Sequence, residues 1–239
     1  MLNLTKGRAR ALLLLTAISL SAACGSMKEN ERGAGMMNDE SKAPVRYVAL
    51  GDSTGVGVGA REGGYVARLF ERIRRERPSS SLTNLCVSGA TSGDLLREQL
   101  APALKAQPTL ITIGIGINDI SRSVSPESFA RNYEEIVSRL KTETGAVIIV
   151  TNLPDISLAP AVPAYMREEA QSRIVAFNER IQEIAARHGL MLVDAYTMTR
   201  EVIPQHPEFF SSDNFHPSDA GYEYWAKLMW PTVKSAMEK

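Results

Sequence analysis

From residue 45 onwards, short apolar runs alternate with longer amphipathic stretches, and this alternation limits the possible folds more than any other feature. The runs cover residues 45–50, 82–87, 109–113, 146–150 and 191–193. Strands that are buried on both faces are almost continuously apolar, and strands that alternate with helices form a parallel sheet. We therefore expect an α/β domain of three layers, in which helices cover both faces of a doubly wound, parallel, five-stranded sheet.

The stretches between the runs have the periodicity of amphipathic helices. Helices are predicted over residues 64–77, 94–105, 129–141, 166–188 and 217–237. In the first of them, Tyr65, Leu69 and Ile73 recur at helical spacing and predict the buried face. Pro217 suits the first turn of the last helix, where no amide N–H is needed. Because no internal repeat occurs, residues 45–239 are expected to form one domain with a single core.

The first residues have the pattern of an export signal. Lys6, Arg8 and Arg10 precede an uncharged stretch over residues 11–23, which is too short to cross about 30 Å of hydrocarbon as a helix. We therefore interpret residues 1–23 as a signal peptide.

The residues after this signal resemble the processing site of a bacterial lipoprotein. Small residues stand directly before Cys24, which implies cleavage before Cys24 and lipidation of its side chain. Residues 24–44 would then be the lipidated cysteine and a flexible polar tether, and the protein would be anchored to the membrane of the cell envelope. An ordinary secretory signal that is cleaved near Ala23 would instead give a secreted or periplasmic protein.

Charge and cysteine content exclude several classes of partner. The chain has 27 basic and 27 acidic residues, and loss of residues 1–23 would remove three of the basic ones. Such a chain has no excess positive charge with which to displace counterions from nucleic acid. Cys86 lies in an apolar context and is predicted to be a buried, inert thiol. His and Cys residues do not occur at metal-ligand spacing, so we expect no metal site.

Several polar or small residues follow the predicted strands. Ser53 follows the first strand, Gly89 the second and Asn118 the third, while Asp213 and His216 stand before the last helix. Ligands of open parallel sheets bind at the carboxyl ends of the strands. We therefore expect these residues to lie at one edge of the sheet.

Four blocks at these positions resemble the motifs of the SGNH, or GDSL-type, hydrolases. They are Gly51-Asp52-Ser53, Gly89 within residues 84–93, Gly116-Ile117-Asn118-Asp119 and Asp213-x-x-His216, in the order of that family. The resemblance implies a flavodoxin-like, three-layer fold. It also implies one of the family's activities, which include those of lipases, lysophospholipases, thioesterases, arylesterases and carbohydrate deacetylases.

These residues support the hypothesis of a serine hydrolase. Ser53 would be the nucleophile, His216 the base, and Asp213 the carboxylate that orients His216. The backbone N–H groups of Ser53 and Gly89 and the side-chain amide of Asn118 would bind the oxyanion. Each residue taken alone also fits a turn or a helix cap, and the combination favours catalysis. Asp52 and Asp119 are expected to be structural partners of these loops.

Two other motifs overlap the turn that carries Ser53. Residues 51–55 fit the G-x-S-x-G nucleophile elbow, but that fold requires several strands before its serine, and only one precedes Ser53. Residues 55–60 loosely match a dinucleotide fingerprint, yet the second strand does not end in the acidic residue that this motif requires. A nucleotide-binding, flavodoxin-like module is therefore a minor hypothesis.

Three further features receive interpretations of their own. The first predicted helix carries four basic residues that could contact anionic headgroups: Arg72, Arg74, Arg75 and Arg77. The favoured interpretation is a solvated helix face with ion pairs within the helix. His188 suits a helix end and is assigned no chemistry. His206 is an alternative base because it precedes the block of residues 213–216.

The substrate is the least constrained part of this interpretation. The apolar, Pro-rich loop over residues 152–165 could form an acyl or aryl wall of the site. We predict a monomeric serine esterase that requires no cofactor and acts on short-chain acyl or aryl esters, because no long insertion suggests a lid. A deacetylase of O-acetylated envelope polysaccharide is the alternative enzyme, and a surface binding protein without turnover is the alternative of another class.

Overall fold

The computed structural model describes residues 43–239, and a five-stranded parallel sheet forms their centre. Its strands are β1 (Arg46–Gly51), β2 (Ser81–Asn84), β3 (Leu110–Gly114), β4 (Val147–Thr151) and β5 (Met191–Val193). They lie in the order β2-β1-β3-β4-β5, and every neighbouring pair is parallel. The predicted fold class is confirmed. The predicted signal peptide, Cys24 and all but the last two residues of the tether lie outside the described residues.

Helices cover both faces of this sheet. The α-helices are α1 (Ser53–Val56), α2 (Tyr65–Glu76), α3 (Ser92–Asp94), α4 (Leu100–Lys105), α5 (Ile117–Ser121), α6 (Pro126–Glu143), α7 (Arg167–His188), α8 (Ala195–Val202) and α9 (Asp219–Ala236). A π-helical turn, Leu95–Gln99, joins α3 to α4. The five predicted helices are all present, whereas α1, α5 and α8 are absent from the prediction. None of the helices in residues 43–239 is long and apolar enough to span a membrane.

The sheet divides the apolar interior into two cores, which corrects the expectation of one. Successive residues of a strand point to opposite faces, so Val48 and Leu50 pack with α6 and α7, whereas Tyr47 and Ala49 pack with α2 and α9. The residues that predicted the buried face of α2 are completely buried in the second core.

Contacts between α2 and α9 bring two distant parts of the chain together. Arg68 of α2 pairs with Asp219 of α9 at 2.7 Å, and the Tyr65 ring stacks on Trp225 with centroids 5.4 Å apart. The Tyr222 hydroxyl donates a hydrogen bond to the Val58 carbonyl, 2.9 Å away. The segment that precedes α9 is therefore held beside the segment that precedes α2.

The basic face of α2 is less solvated than predicted. Arg72 pairs with Glu223, and the buried Arg77 pairs with Glu238 at 3.1 Å, so both contact the C-terminal helix or the residues that follow it. Arg75 alone makes a pair within α2, with Glu71 at 3.8 Å. Basic side chains in and directly after α2 are thus paired mainly with acidic side chains in and after α9.

Several predicted boundaries differ from the observed ones, and the end of β2 and the start of the last helix show the cause. β2 ends at Asn84 rather than at residue 87, because the chain then leaves the sheet to form the loop that contains Gly89. The last helix begins at Asp219, and Ser218 caps it by accepting a hydrogen bond from the Gly221 N–H. Pro217 is not in that helix, since it pairs with Phe210 in a short antiparallel bridge.

Candidate active site

Ser53 is the first residue of α1, directly after the carboxyl end of β1. The preceding Asp52 caps this short helix, because its Oδ1 accepts hydrogen bonds from the Thr54 N–H at 3.0 Å and the Thr54 hydroxyl at 2.9 Å. Burial raises the pKa of Asp52, and the bonds from Thr54 offset part of this effect. Asp52 therefore has the structural role that the sequence suggests.

The last residue of β1 is held through both of its backbone polar groups. The buried Gln99 side chain accepts a hydrogen bond from the Gly51 N–H at 2.9 Å and donates one to the Gly51 carbonyl at 2.8 Å. A β-carbon on Gly51 would approach the Gly114 carbonyl oxygen to 2.5 Å. Only glycine therefore fits at this position, and the backbone that leads into Ser53 is tightly positioned.

His216 and Asp213 lie in a hairpin-like loop in front of α9. The Ser211 N–H donates to the His216 carbonyl at 2.8 Å, and the Ser218 N–H donates to the Phe209 carbonyl at 2.8 Å. These bonds close the loop and direct the His216 ring towards α1.

Ser53, His216 and Asp213 form a continuous hydrogen-bonded chain. His216 Nε2 lies 3.0 Å from Ser53 Oγ, and His216 Nδ1 lies 2.6 Å from Asp213 Oδ2. The structure thus brings together three side chains that are separated by as many as 163 residues in the sequence.

The state of Asp213 determines the tautomer of His216. Partial burial favours the neutral acid, but hydrogen bonds from His216, the Phe215 N–H and Ser211 outweigh it and hold the pKa of Asp213 well below its usual value. An ionised carboxylate only accepts hydrogen bonds, so in neutral His216 the proton is on Nδ1. Nε2 then has a free lone pair and can accept the Ser53 proton.

Gly89 lies in a tight turn beside the end of β1. The Ala90 N–H donates to the Val87 carbonyl at 3.0 Å, and Gly89 is the third residue of this turn with φ +79°, as in a type II turn. The Val87 N–H donates to the Gly51 carbonyl at 3.1 Å, which ties the turn to the strand that precedes Ser53. Within residues 43–239, the N–H groups of Ser53 and Gly89 donate no hydrogen bond.

Asn118 lies in α5, after β3, and reaches the same turn. Its Nδ2 donates to the Ala90 carbonyl at 2.9 Å. The predicted oxyanion role assigns two N–H donors to this amide, and the structure commits one of them to Ala90. The other remains for a ligand.

The segment that follows Gly89 is stabilised by two buried or half-buried carboxylates. Asp94 and Thr91 form a capping box at the start of α3, and Asp119 accepts hydrogen bonds from the Ser92 N–H at 2.8 Å and the Ser92 hydroxyl at 2.6 Å. Burial raises the pKa of Asp119, and the bonds from Ser92 counteract this. Asp119, like Asp52, therefore positions a loop.

An apolar pocket opens beside Ser53 and His216, with a cavity volume of about 110 Å³. The loop after β4 contributes Leu153 and Ile156, and the segment before and within α9 contributes Phe210, Phe215 and Trp225. The first half of the predicted loop over residues 152–165 thus lines the pocket. Its last residue, Tyr165, does not line it and is 86% exposed.

The remaining residues singled out in the sequence lie away from the hydrogen-bonded chain. His206 contacts Glu208, with Nδ1 and Oε1 2.8 Å apart. His188, the last residue of α7, contacts Glu134 of α6. Cys86 as a whole is half-buried, whereas its thiol is buried as predicted, with Sγ in the space that a β-carbon on Gly55 would occupy. Burial of the thiol raises its pKa, which suppresses the reactive thiolate.

Sequence reasoning missed three contributors to the site. The Thr-x-x-Asp spacing of Thr91 and Asp94 is the signature of a capping box and would have predicted the start of α3. Arg122, four residues after Asn118, donates a hydrogen bond to the Gly89 carbonyl at 2.8 Å. Neither Arg122 nor the aromatic residues before α9 have a comparable local signal, because their contacts depend on the folded chain.

Comparisons with known proteins place the chain in a family. Residues 49–224 match the model of the GDSL-like lipase/acylhydrolase family. A GDSL-like esterase of Mycobacterium tuberculosis is 26% identical, and the match covers 81% of this chain and 63% of that protein. Esterase TesA of Pseudomonas aeruginosa is 26% identical over 82% of this chain and 90% of its own.

A similar structure is that of a lipase/acylhydrolase from Enterococcus faecalis. It has a TM-score of 0.65 and 25% identity, and the match covers 80% of this chain and 96% of that chain.

Proposed function

The chain belongs to the GDSL-like lipase/acylhydrolase family and is a carboxylic ester hydrolase, and we propose that it works through an acyl-enzyme on Ser53. The observation that carries this proposal is the chain of short contacts from Ser53 through His216 to Asp213. A serine hydroxyl becomes a useful nucleophile when an adjacent base removes its proton.

In the first half of the reaction, Ser53 Oγ attacks the ester carbonyl while His216 Nε2 takes its proton. The N–H groups of Ser53 and Gly89 and the second N–H of Asn118 Nδ2 donate to the tetrahedral oxyanion. The intermediate then collapses, the C–O bond to the alcohol breaks, and the alcohol leaves with the proton from His216.

In the second half, a water molecule takes the place of the alcohol. His216 removes a proton from this water, the resulting hydroxide attacks the acyl-enzyme, and Ser53 leaves with the proton from His216. Asp213 stabilises the imidazolium in both halves. The proposed steps use only water, the ester and the side chains named above.

The apolar pocket supports a preference for esters with a short acyl or aryl group. It lies directly beside Ser53 and His216, and its walls carry aliphatic and aromatic side chains. Such walls favour an apolar acyl group through burial of its surface. Soluble short-chain esters are therefore the proposed substrates. The enzyme is proposed to act on them as a monomer.

The test is hydrolysis of p-nitrophenyl esters with two to twelve acyl carbons. The wild-type chain is compared with Ser53→Ala and with Ser138→Ala, which removes a half-buried hydroxyl on α6. We expect Ser53→Ala to lose nearly all activity and Ser138→Ala to lose none, with rates that fall for long chains. Equal rates in wild type and Ser53→Ala would contradict the proposal.

Failure on aryl esters would not distinguish the alternatives by itself. Acetate release from an acetylated polysaccharide that exceeds aryl-ester turnover would favour the deacetylase instead. Inactivity on both substrate classes would leave a binding protein.

We also propose that the protein is exported and anchored at the cell envelope through a lipid on Cys24. The proposal is supported by the basic residues at the start of the chain, the uncharged stretch after them and the small residues before Cys24. Its measurable consequence is recovery of the protein in the membrane fraction of the host bacterium.

A further inference from the structure

Two side chains of the α5 segment hold two successive carbonyl groups of the turn that contains Gly89. Asn118 Nδ2 donates to the Ala90 carbonyl at 2.9 Å, and Arg122 Nη2 donates to the Gly89 carbonyl at 2.8 Å. Residues four apart on a helix lie on the same side, and Arg122 directly follows the last turn of α5. One short helix therefore clamps this turn at two adjacent points.

The turn has few other restraints. Val87 and Ser88 are exposed, and Gly89 has no side chain that could pack against the protein. A glycine with positive φ gains no steric protection against backbone movement. The position of the Gly89 N–H consequently depends on hydrogen bonds made by its neighbours, and Arg122 makes the one to Gly89 itself.

Arg122 also contacts Asp94, but this contact explains its position less well. Nη1 lies 3.5 Å from Asp94 Oδ2, a longer distance than that to the Gly89 carbonyl. Asp94 is already paired with Arg97 and bonded to the Thr91 hydroxyl. An exposed ion pair of this kind adds little stability in water.

We propose that Arg122 is a positioning residue for the oxyanion site: its guanidinium holds the Gly89 carbonyl, so that the Gly89 N–H stays directed at the developing negative charge. The inference rests on the proposed acyl-enzyme mechanism. Arg122 itself does not touch the substrate. A donor displaced by about 1 Å can lose on the order of a hundredfold in rate, so this clamp would act on kcat rather than on substrate binding.

The test compares Arg122→Ala, Arg122→Lys and Arg97→Ala on a short-chain p-nitrophenyl ester. Arg97 is a matched control, because it is another exposed arginine that pairs with Asp94 and makes no hydrogen bond to Gly89. We expect Arg122→Ala to lower kcat about tenfold to a hundredfold with little change in KM. Arg122→Lys should recover part of the loss, and Arg97→Ala should match the wild type.

A second measurement separates this role from a general structural one. An alkyl boronic acid binds Ser53 as a tetrahedral adduct whose oxygen occupies the oxyanion position. Its affinity should fall in Arg122→Ala by the same factor as kcat/KM, while the melting temperature stays close to that of the wild type.

The following results would overturn the inference. The first is an Arg122→Ala variant with wild-type kcat and boronate affinity, and the second is a loss confined to KM. If Arg122→Ala does not fold, Arg122→Lys decides, and wild-type kcat in that variant would also refute a geometric clamp. The third is equal hydrolysis by wild type and Ser53→Ala, which would refute the proposed function itself and with it this inference.

Discussion

Replacement of Asp213 by asparagine provides a sharp test of the proposed mechanism, because the structure determines how the new amide must lie. Asp213 Oδ1 accepts hydrogen bonds from Ser211 Oγ at 2.8 Å and from the N–H groups of Phe215 and His216, each at 2.9 Å. An NH2 group in that place would face two N–H donors. The asparagine oxygen must therefore remain there, and its NH2 group must face His216 Nδ1.

This orientation reverses the tautomer of His216. The new NH2 group donates to Nδ1, so the ring proton moves to Nε2, which can no longer accept the proton of Ser53. The corresponding change in a Ser-His-Asp triad lowers kcat by about 10⁴, which equals about 5 kcal/mol of transition-state stabilisation. We expect Asp213→Asn to show a loss of this order at pH 7 with p-nitrophenyl butyrate.

Stability measurements separate the tautomer effect from damage to the loop. Asp213→Asn keeps the three bonds to Oδ1, so its melting temperature at pH 7 should stay near that of the wild type, whereas Asp213→Ala loses them and should melt lower. A folded Asp213→Asn variant with more than a tenth of the wild-type kcat would refute the reasoning.

Asp213→Ala should also remove one acid-dependent contribution to stability. Because the folded-state pKa of Asp213 is lower than its ordinary value of 3.8, its contribution is fully present above that value and is lost as the pH falls through the folded-state pKa. The difference in stability between wild type and Asp213→Ala should therefore shrink as the pH falls from 5 towards 2.

Two further predictions concern glycine geometry and anchoring. Gly57 ends α1 at φ +97°, and a β-carbon on it would lie 2.2 Å from the Gly64 nitrogen. Gly57→Ala should therefore lower the free energy of unfolding, measured in urea, by about 3 kcal/mol or more. In the control variant Gly145→Ala, the new β-carbon has nothing within 4 Å, and the free energy of unfolding should change by less than about 1 kcal/mol. If both variants unfold alike, the steric argument is wrong. Cys24→Ser should move the protein from the membrane fraction to the soluble one, and an unchanged distribution would contradict lipidation at Cys24.

The predicted strands and long helices depend on patterns within a few residues, and this is why they could be recognised in the sequence. The apolar runs of β1, β3 and β4 and the spacing of Tyr65, Leu69 and Ile73 are local features. The errors occur where a long-range contact overrides the local pattern. Pro217 suits a first helical turn, yet its pairing with Phe210 keeps it outside α9.

The candidate site also has some features that the sequence reveals and others that depend on the folded chain. Ser53, Gly89, Asn118, Asp213 and His216 could be singled out because they lie in four blocks that resemble the motifs of a known family. The first three also follow strands of a parallel sheet, whose turns meet at one edge. The hydrogen bonds from the Asn118 amide to the Ala90 carbonyl and from Arg122 to the Gly89 carbonyl could not be foreseen. An arginine on a surface helix has several acceptors within reach, and its choice depends on distances that exist only after folding.

The sequence by itself determined the parallel sheet, the succession of strands and helices along the chain, and the residue types that a serine hydrolase needs, because hydrophobic periodicity and turn chemistry act over short stretches of chain. The tertiary structure alone decided that the α2–α9 contacts bring His216 to Ser53, that aromatic residues before α9 close an apolar pocket, and that Arg122 clamps Gly89. These features join residues far apart in the chain, and their geometry follows from how whole elements pack against one another.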